Sequence, residues 1–361
     1  MRKVLDSVDA RASGYGLSGK VQTVLGVVDS GDLGATLSHE HVLWDASFLF
    51  VEPEEKELAY EPVRIENLEW LKRNSLGSVD NLRLLDEDVA IEELNRFKNA
   101  GGGAVVDMGN VGLRRDPEGL ARVSRATGVH IVMGSGYYVG ASHPPELACR
   151  PVEELTLGIV HDVTVGVDGT GIRAGVIGEI GCSYPLMETE VKVLEAVAGA
   201  QRITGAPVNI HPGRSQSLPL EIIDMYRGFG GDVRHTAMSH LSNRHGLDID
   251  LTIELAETGC YIEYDSFGNF MNPIVLPEKT FYALSDWQRI ECIKELIDYG
   301  FLDQLLISHD VFNKTDLRRY GGFGYDYIHV TVVPMMRRLG VSNKEIHAML
   351  VENPARFLQF D

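Results

Sequence analysis

Eight short apolar runs, each separated from the next by a longer amphipathic segment, constrain the fold of this chain more than any other feature. The runs are Ala35–Leu43, Gly103–Gly109, Ile131–Tyr138, Ala174–Cys182, Pro207–Pro212, His235–Leu241, Tyr261–Phe267 and Gln304–Phe312. Most are bounded by Gly, Pro or Asp, as strands are. Their near-continuous Val, Ile and Leu content suits strands buried on both faces, the mark of a parallel sheet. Within Glu188–Thr204, Val191, Leu194, Val197 and Ala198 recur at helical spacing. Val89–Lys98, Leu218–Arg227, Asp286–Tyr299 and Tyr327–Leu339 repeat the pattern. Gly205 and Gly300 stand just past two of these segments, where helices stop.

Eight strands with helices after most of them predict an α/β fold, a single-domain (β/α)8 TIM barrel. An open dinucleotide-binding sheet would carry a Gly-rich loop after its first strand. Here that strand ends in His39-Glu40-His41, and Gly101-Gly102-Gly103 precedes a strand instead of following one. Two stretches lie outside the repeat. Residues 1–30 form an N-terminal extension, in which Val21–Val28 reads as a small extra hairpin. Residues 45–88 are too long for a βα loop and read as an insertion or lid over the barrel mouth.

The histidines and carboxylates carry the chemistry. His39 and His41 are two apart on a strand, so they share a face. Two imidazoles side by side pack a core poorly but suit a divalent cation; alone, the pair fits chance as well as it fits a metal. Glu179 lies inside the apolar strand Val176–Ile180, where a carboxylate is costly unless paired or bound to a metal. His211, His240 and Asp310 each follow an apolar run, at a strand's C-terminal end. The six residues fall on strands one, four, five, six and eight, toward the face where barrel active sites lie. That joint pattern predicts a metal centre. Glu40, between two inward histidines, is expected to point outward to a helix or solvent. His309 should face away from Asp310 and serve a supporting role.

Substrate contacts are expected from the loops after the strands. Tyr137 and Tyr138 end strand three, and Arg214 follows His211 as a candidate for an anionic substrate group. Arg115 reads first as a structural ion pair, and the loop Arg318–Tyr325 as a wall of the pocket. Cys182 and Ser183 have no base to activate them and are not nucleophile candidates.

The net charge of −19 argues against nucleic acid and anionic membrane as partners, since phosphate binding needs Lys and Arg. A small-molecule substrate is the expected partner, with a second copy of the chain in a homodimer also in view. No apolar stretch reaches the ~18 residues that span a bilayer, and the first residues lack the apolar core of a secretory signal. A cytoplasmic location is expected. Cys149, Cys182, Cys260 and Cys292 form no CxxC pair and fit free thiols in a reducing compartment.

These residues sit in motifs that resemble the phosphotriesterase-related branch of the amidohydrolase superfamily, of the "resiniferatoxin-binding, phosphotriesterase-related" type. The motifs run from Leu25-Gly26 and Ser38-His39-Glu40-His41 through Asp107, Gly112, Arg115-Asp116-Pro117 and Gly136-Tyr137-Tyr138. They continue with Gly178-Glu179-Ile180-Gly181, His211, His240, Ser308-His309-Asp310, Tyr320–Tyr325 and Glu352-Asn353-Pro354-Ala355. The resemblance implies a barrel with a binuclear centre, usually zinc. It puts His39, His41 and Asp310 on the more buried metal, His211 and His240 on the more exposed one, and position 179 between them. Phosphotriesterases proper carry a carboxylated lysine there; Glu179 marks a subgroup and argues against efficient organophosphate hydrolysis.

Manganese, cobalt or iron(II) would suit the same donors. Two cations about 3.5–4 Å apart can share a water and hold it as hydroxide near neutral pH. Such a hydroxide would attack a carboxylic ester, lactone or N-acyl amide, with Asp310 moving the proton. Phosphotriesters would be a weak side reaction. Two other classes stay in view, a non-catalytic small-ligand-binding protein on the same barrel and a mononuclear deaminase. The full ligand set argues against the first, and a bridging carboxylate against the second.

Overall fold

The structure is a computed structural model that describes residues 17–269, 274–275, 280–281 and 283–361. The first 16 residues of the expected N-terminal extension lie outside the described residues. All eight expected barrel strands are present. We number them β1 (Ala35–Glu40), β2 (Gly102–Asp107), β3 (His130–Ser135), β4 (Val176–Gly181), β5 (Val208–His211), β6 (Thr236–Met238), β7 (Tyr261–Tyr264) and β8 (Leu305–Ile307). They pair in that order, each ladder parallel.

Alternation along the strands explains why a barrel forms. Ala104, Val106, Val132, Val176, Ala237 and Leu306 meet in one apolar layer inside the ring. Their neighbours Val105, Ile131, Ile177, Val208, Ile262 and Leu305 face the other way, into a layer shared with the helices. Each such side chain contributes about 1.5–3 kcal/mol on burial. β1 and β8 meet at a seam held by other bonds. The His39 amide donates to Ser308 Oγ at 3.1 Å, and the Asp310 amide to the His39 carbonyl at 3.3 Å.

The extra hairpin is Lys20–Thr23 paired antiparallel with Gly26–Asp29, and Gly26 takes φ +124°, open to glycine alone. Val21 joins the inner layer with Phe357. The helix Glu87–Asn99 starts on the Asp86 carboxylate, which accepts from the amides of Asp88 and Val89. Gly205 ends Glu188–Thr204 at φ +66°. The segment expected as one helix over Tyr327–Leu339 instead opens with a π turn, Ile328–Val332, before α-helix Val333–Arg338. Pro334 has no amide hydrogen to donate back, and the turn preceding it widens.

The segment 45–88 has its own small core of Val63, Trp70 and Leu71. The strand pair Trp44–Asp45 and Arg83–Leu84 draws its ends together. It is tied to the loop after β8, where the Lys314 amide donates to the Asn81 carbonyl at 2.9 Å and Trp44 Nε1 to the Phe312 carbonyl at 2.9 Å. No helix among the described residues is long and apolar enough to cross a membrane.

Candidate metal centre

The apolar runs outlast the ladders, and these overhangs carry the polar side chains. His240 and Asp310 stand just past β6 and β8, and both take left-handed backbone conformations, at φ 59° and 55°. That conformation costs a non-glycine residue of the order of 1 kcal/mol, and such residues cluster at functional sites.

Six side chains converge. Glu179 is 2% exposed. Its Oε1 faces His39 Nε2 at 3.7 Å and His240 Nε2 at 2.9 Å and contacts His211 Nδ1, while Oε2 faces His41 Nε2 at 3.9 Å. Asp310 Oδ1 lies 3.4 Å from His41 Nε2 and 3.9 Å from His39 Nε2. Asp310 Oδ2 lies 3.7 Å from His240 Nδ1. Three groups of donor atoms close enough to hold a cation result among the described residues, His39-His240-Asp265, His39-His41-Glu179 and Glu179-His211-His240, and Glu179 is common to the last two.

The geometry suits cations better than it suits a hydrogen-bond cluster. His39 Nε2 is buried without a hydrogen-bond partner, although it faces two carboxylates. His211 Nδ1 and His240 Nε2 point at each other across 2.8 Å while both point at the same Glu179 oxygen. Burial draws His211 down to about 4, which leaves its imidazole neutral at neutral pH, the form that binds metals. Burial would lift the Glu179 carboxyl, but His211 and His39 hold it well below the usual carboxylate range.

A further ring of residues orients these donors, and two of them went unseen in the sequence. Asp265 follows β7 directly. Its carboxylate accepts from the His240 amide at 2.9 Å and lies 3.0 Å from His240 Nδ1, which turns Nε2 toward Glu179. Burial lowers His240, but Asp265, then Glu179 and Asp310, together reverse this and raise it to about 9. Glu263, fully buried, lies 3.2 Å from His39 Nδ1 and accepts from Asn209 and Ser239. Asp107 accepts from the amides of Val42, Leu43 and Gly109 and so holds the turn that follows His41.

Glu40 does not reach solvent or a helix. It is fully buried, and its carboxylate accepts from Ser308 Oγ, His309 Nδ1 and the amides of His309 and Val311. The strand register slips between Leu37 and Glu40, and the seam lies beside it, so strict alternation fails there. His309 completes the chain, its Nε2 accepting from the Ile328 amide.

The expected substrate contacts divide. The Tyr138 hydroxyl lies 3.3 Å from His211 Nδ1, within the centre. Tyr137 is not brought to it; its hydroxyl accepts from Arg150. Arg214 is exposed at the same end of the barrel. Arg115 pairs with Asp162 at 2.7 Å and Asp168 at 3.3 Å, the structural role expected of it. Tyr325, in the loop expected as a pocket wall, donates to the His41 carbonyl at 2.7 Å. Cys182, Cys260 and Cys292 are buried, Cys149 is exposed, and all four are free.

The chain is similar to known proteins along most of its length. The model of the phosphotriesterase family matches residues 19–358. The N-acetyltaurine hydrolase of Bos taurus is 44% identical over 353 residues, spanning 95% of this chain and 99% of that protein. A phosphotriesterase-related protein of Nematostella vectensis is 41% identical, again over 95% of this chain and 99% of the relative. Among solved structures, a resiniferatoxin-binding protein from Rhodobacter sphaeroides superposes with a TM-score of 0.89 at 36% identity, over 94% of this chain and 95% of that one.

Proposed function

This chain belongs to the phosphotriesterase family of metal-dependent hydrolases, and from that premise we propose that it cleaves N-acyl amides at a centre of two divalent cations. The observation that carries the reading is Glu179, one carboxylate common to two groups of donors. His39, His41 and Asp310 would hold one cation and His211 and His240 the other, with Glu179 between them. Zinc is the first candidate, followed by manganese, cobalt and iron.

Cations held there would supply the nucleophile at neutral pH and a Lewis acid for the scissile carbonyl. The protein's own groups do the rest. Asp310 is the most open acid of the cluster, its side chain 18% exposed, and it is flanked by His41 and His240. It takes the proton released on attack and delivers it to the departing amine, the role of a positioned general acid and base. Tyr138 offers its hydroxyl to the acyl oxygen as charge develops there.

The name of the bovine relative supports an amide over an ester or lactone. Esters and lactones have better leaving groups and are expected as secondary substrates, with phosphotriesters weakest. The test is to load purified protein with zinc or manganese, then assay N-acetyltaurine, N-acyl amino acids, lactones, aryl esters and a phosphotriester. Turnover of lactones with none of the amides would overturn the substrate assignment. Failure to take up two equivalents of metal would overturn the centre.

A further inference from the structure

We infer that Arg214 and Arg244 form an anion subsite beside the metal centre, and that it takes the sulfonate or carboxylate of an N-acyl substrate. The inference deepens the amidase reading and rests on it. Arg214 stands three residues beyond His211, and Arg244 four beyond His240, so β5 and β6 carry both arginines to the end where the donors converge.

Arg244 closes the short helix Leu241–Arg244 and is 6% exposed. Its Nε donates to the Pro212 carbonyl at 2.8 Å, which fixes the plane of the guanidinium. Among the described residues neither arginine forms an ion pair. Other buried guanidinium groups of this chain do have one. Arg289, fully buried, has Asp286 at 2.8 Å, and Arg115 has two carboxylates. A buried charge without a partner is costly. Arg244 also feels the repulsion of Arg214, and the carboxylates that act on it, Asp265 and Glu179, belong to the centre itself. Burial and then Arg214 draw its guanidinium down to about 10, so it remains a cation at neutral pH.

Arg244 is anchored on Pro212, two residues before Arg214, and two cations so placed call for an anion in a chain of net charge −19. A guanidinium binds a planar or tetrahedral oxyanion through paired N–H donors, which an ammonium cannot match. Tyr138 connects the two regions. Its hydroxyl meets His211, and the charges of both arginines act on it. A substrate held by its acid group at the arginines therefore reaches the metal centre past Tyr138, acyl end first.

The test separates this subsite from the amidase reading. Binding of ethanesulfonate, acetate and inorganic phosphate is measured by calorimetry on wild type, Arg244→Gln, Arg244→Lys and Arg214→Gln, without reference to turnover. Ethanesulfonate is expected to bind wild type and to lose roughly tenfold or more in either Gln variant, the scale of one charged hydrogen-bonded pair. Arg244→Lys should recover only part, because it restores charge without the fork. In parallel, the KM for N-acetyltaurine and N-acetyl-β-alanine should rise by a similar factor relative to the neutral N-ethylacetamide, with kcat moving less. The ratio of the sulfonate to the carboxylate effect identifies the preferred acid. Should Arg244→Gln fail to fold, exposed Arg214→Gln carries the test. Undiminished ethanesulfonate binding in the variants overturns the subsite; intact anion binding without amide turnover overturns the amidase reading instead.

Discussion

Glu40 accepts a hydrogen bond from His309 Nδ1 at 2.7 Å across the seam between the first and last barrel strands. The same carboxylate takes Ser308 Oγ and the amides of His309 and Val311, so one buried acid grips the segment that carries Asp310. Glu40→Gln removes the charge and should cost roughly 2–3 kcal/mol, as for hydrogen bonds to charged groups. It should lower kcat more than KM, because Asp310 loses its placement. Thermal unfolding and steady-state kinetics check both; an unaltered kcat would cut the link to Asp310.

The same acid predicts a pH dependence. Burial would raise Glu40, but His309 and the bonds around it hold it below the usual carboxylate value. A depressed carboxylate stabilises the fold above its unfolded pKa of about 4.3, and that stability fades as pH falls through the folded value. Wild type should therefore lose more stability than Glu40→Gln on acidification below about pH 4. Parallel curves of melting temperature against pH for the two proteins would contradict this.

Asp310→Asn is expected to reduce kcat by about 10²–10⁴, the contribution of a general acid and base. Metal content must be measured alongside, because Asp310 is also a proposed ligand. A variant with full metal and normal turnover would take Asp310 out of the mechanism.

Asp265 acts on the centre through His240, whose ring it orients. Asp265→Asn should weaken metal binding by about 10–100-fold, as partners of ligating histidines do. Titration with a competing chelator reads this directly, and an unchanged affinity would leave Asp265 a purely structural role.

Metal should stabilise the fold, by about 2.7 kcal/mol per site at a free concentration a hundredfold above its dissociation constant. Chelation should lower the melting temperature accordingly. Reconstitution should proceed equally well with and without bicarbonate, because Glu179 needs no carboxylation. Stimulation by bicarbonate would mean that another group bridges.

Much of this was legible in the chain. The Val, Ile and Leu runs mark all eight strands because a parallel sheet buries both faces. His39, His41, Glu179, His211, His240 and Asp310 stand out because each breaks or ends such a run, and the structure gathers the six. Asp265 offered the same signal, one residue past β7, but in Tyr261–Phe267 it is masked by Glu263 and Ser266 nearby. Glu40 misled because pleat alternation ignores the register slip and the seam. Tyr137 and Tyr138 cannot both face the mouth, and sequence alone does not say which does. Arg244 carries no signal in the sequence, because its bond to the Pro212 carbonyl exists only in the fold.

The seam has a temporal consequence. The donors on β1 are made first and Asp310 nearly last, some 270 residues later. A chain still on the ribosome can bring Glu179, His211 and His240 beside the β1 histidines, yet His39 lacks its bonds to Ser308 and Asp310 until β8 arrives. The cation pocket is thus completed in the same act that closes the ring. Before β8 the chain carries five of the six converging side chains, and the sixth arrives with the strand that secures His39.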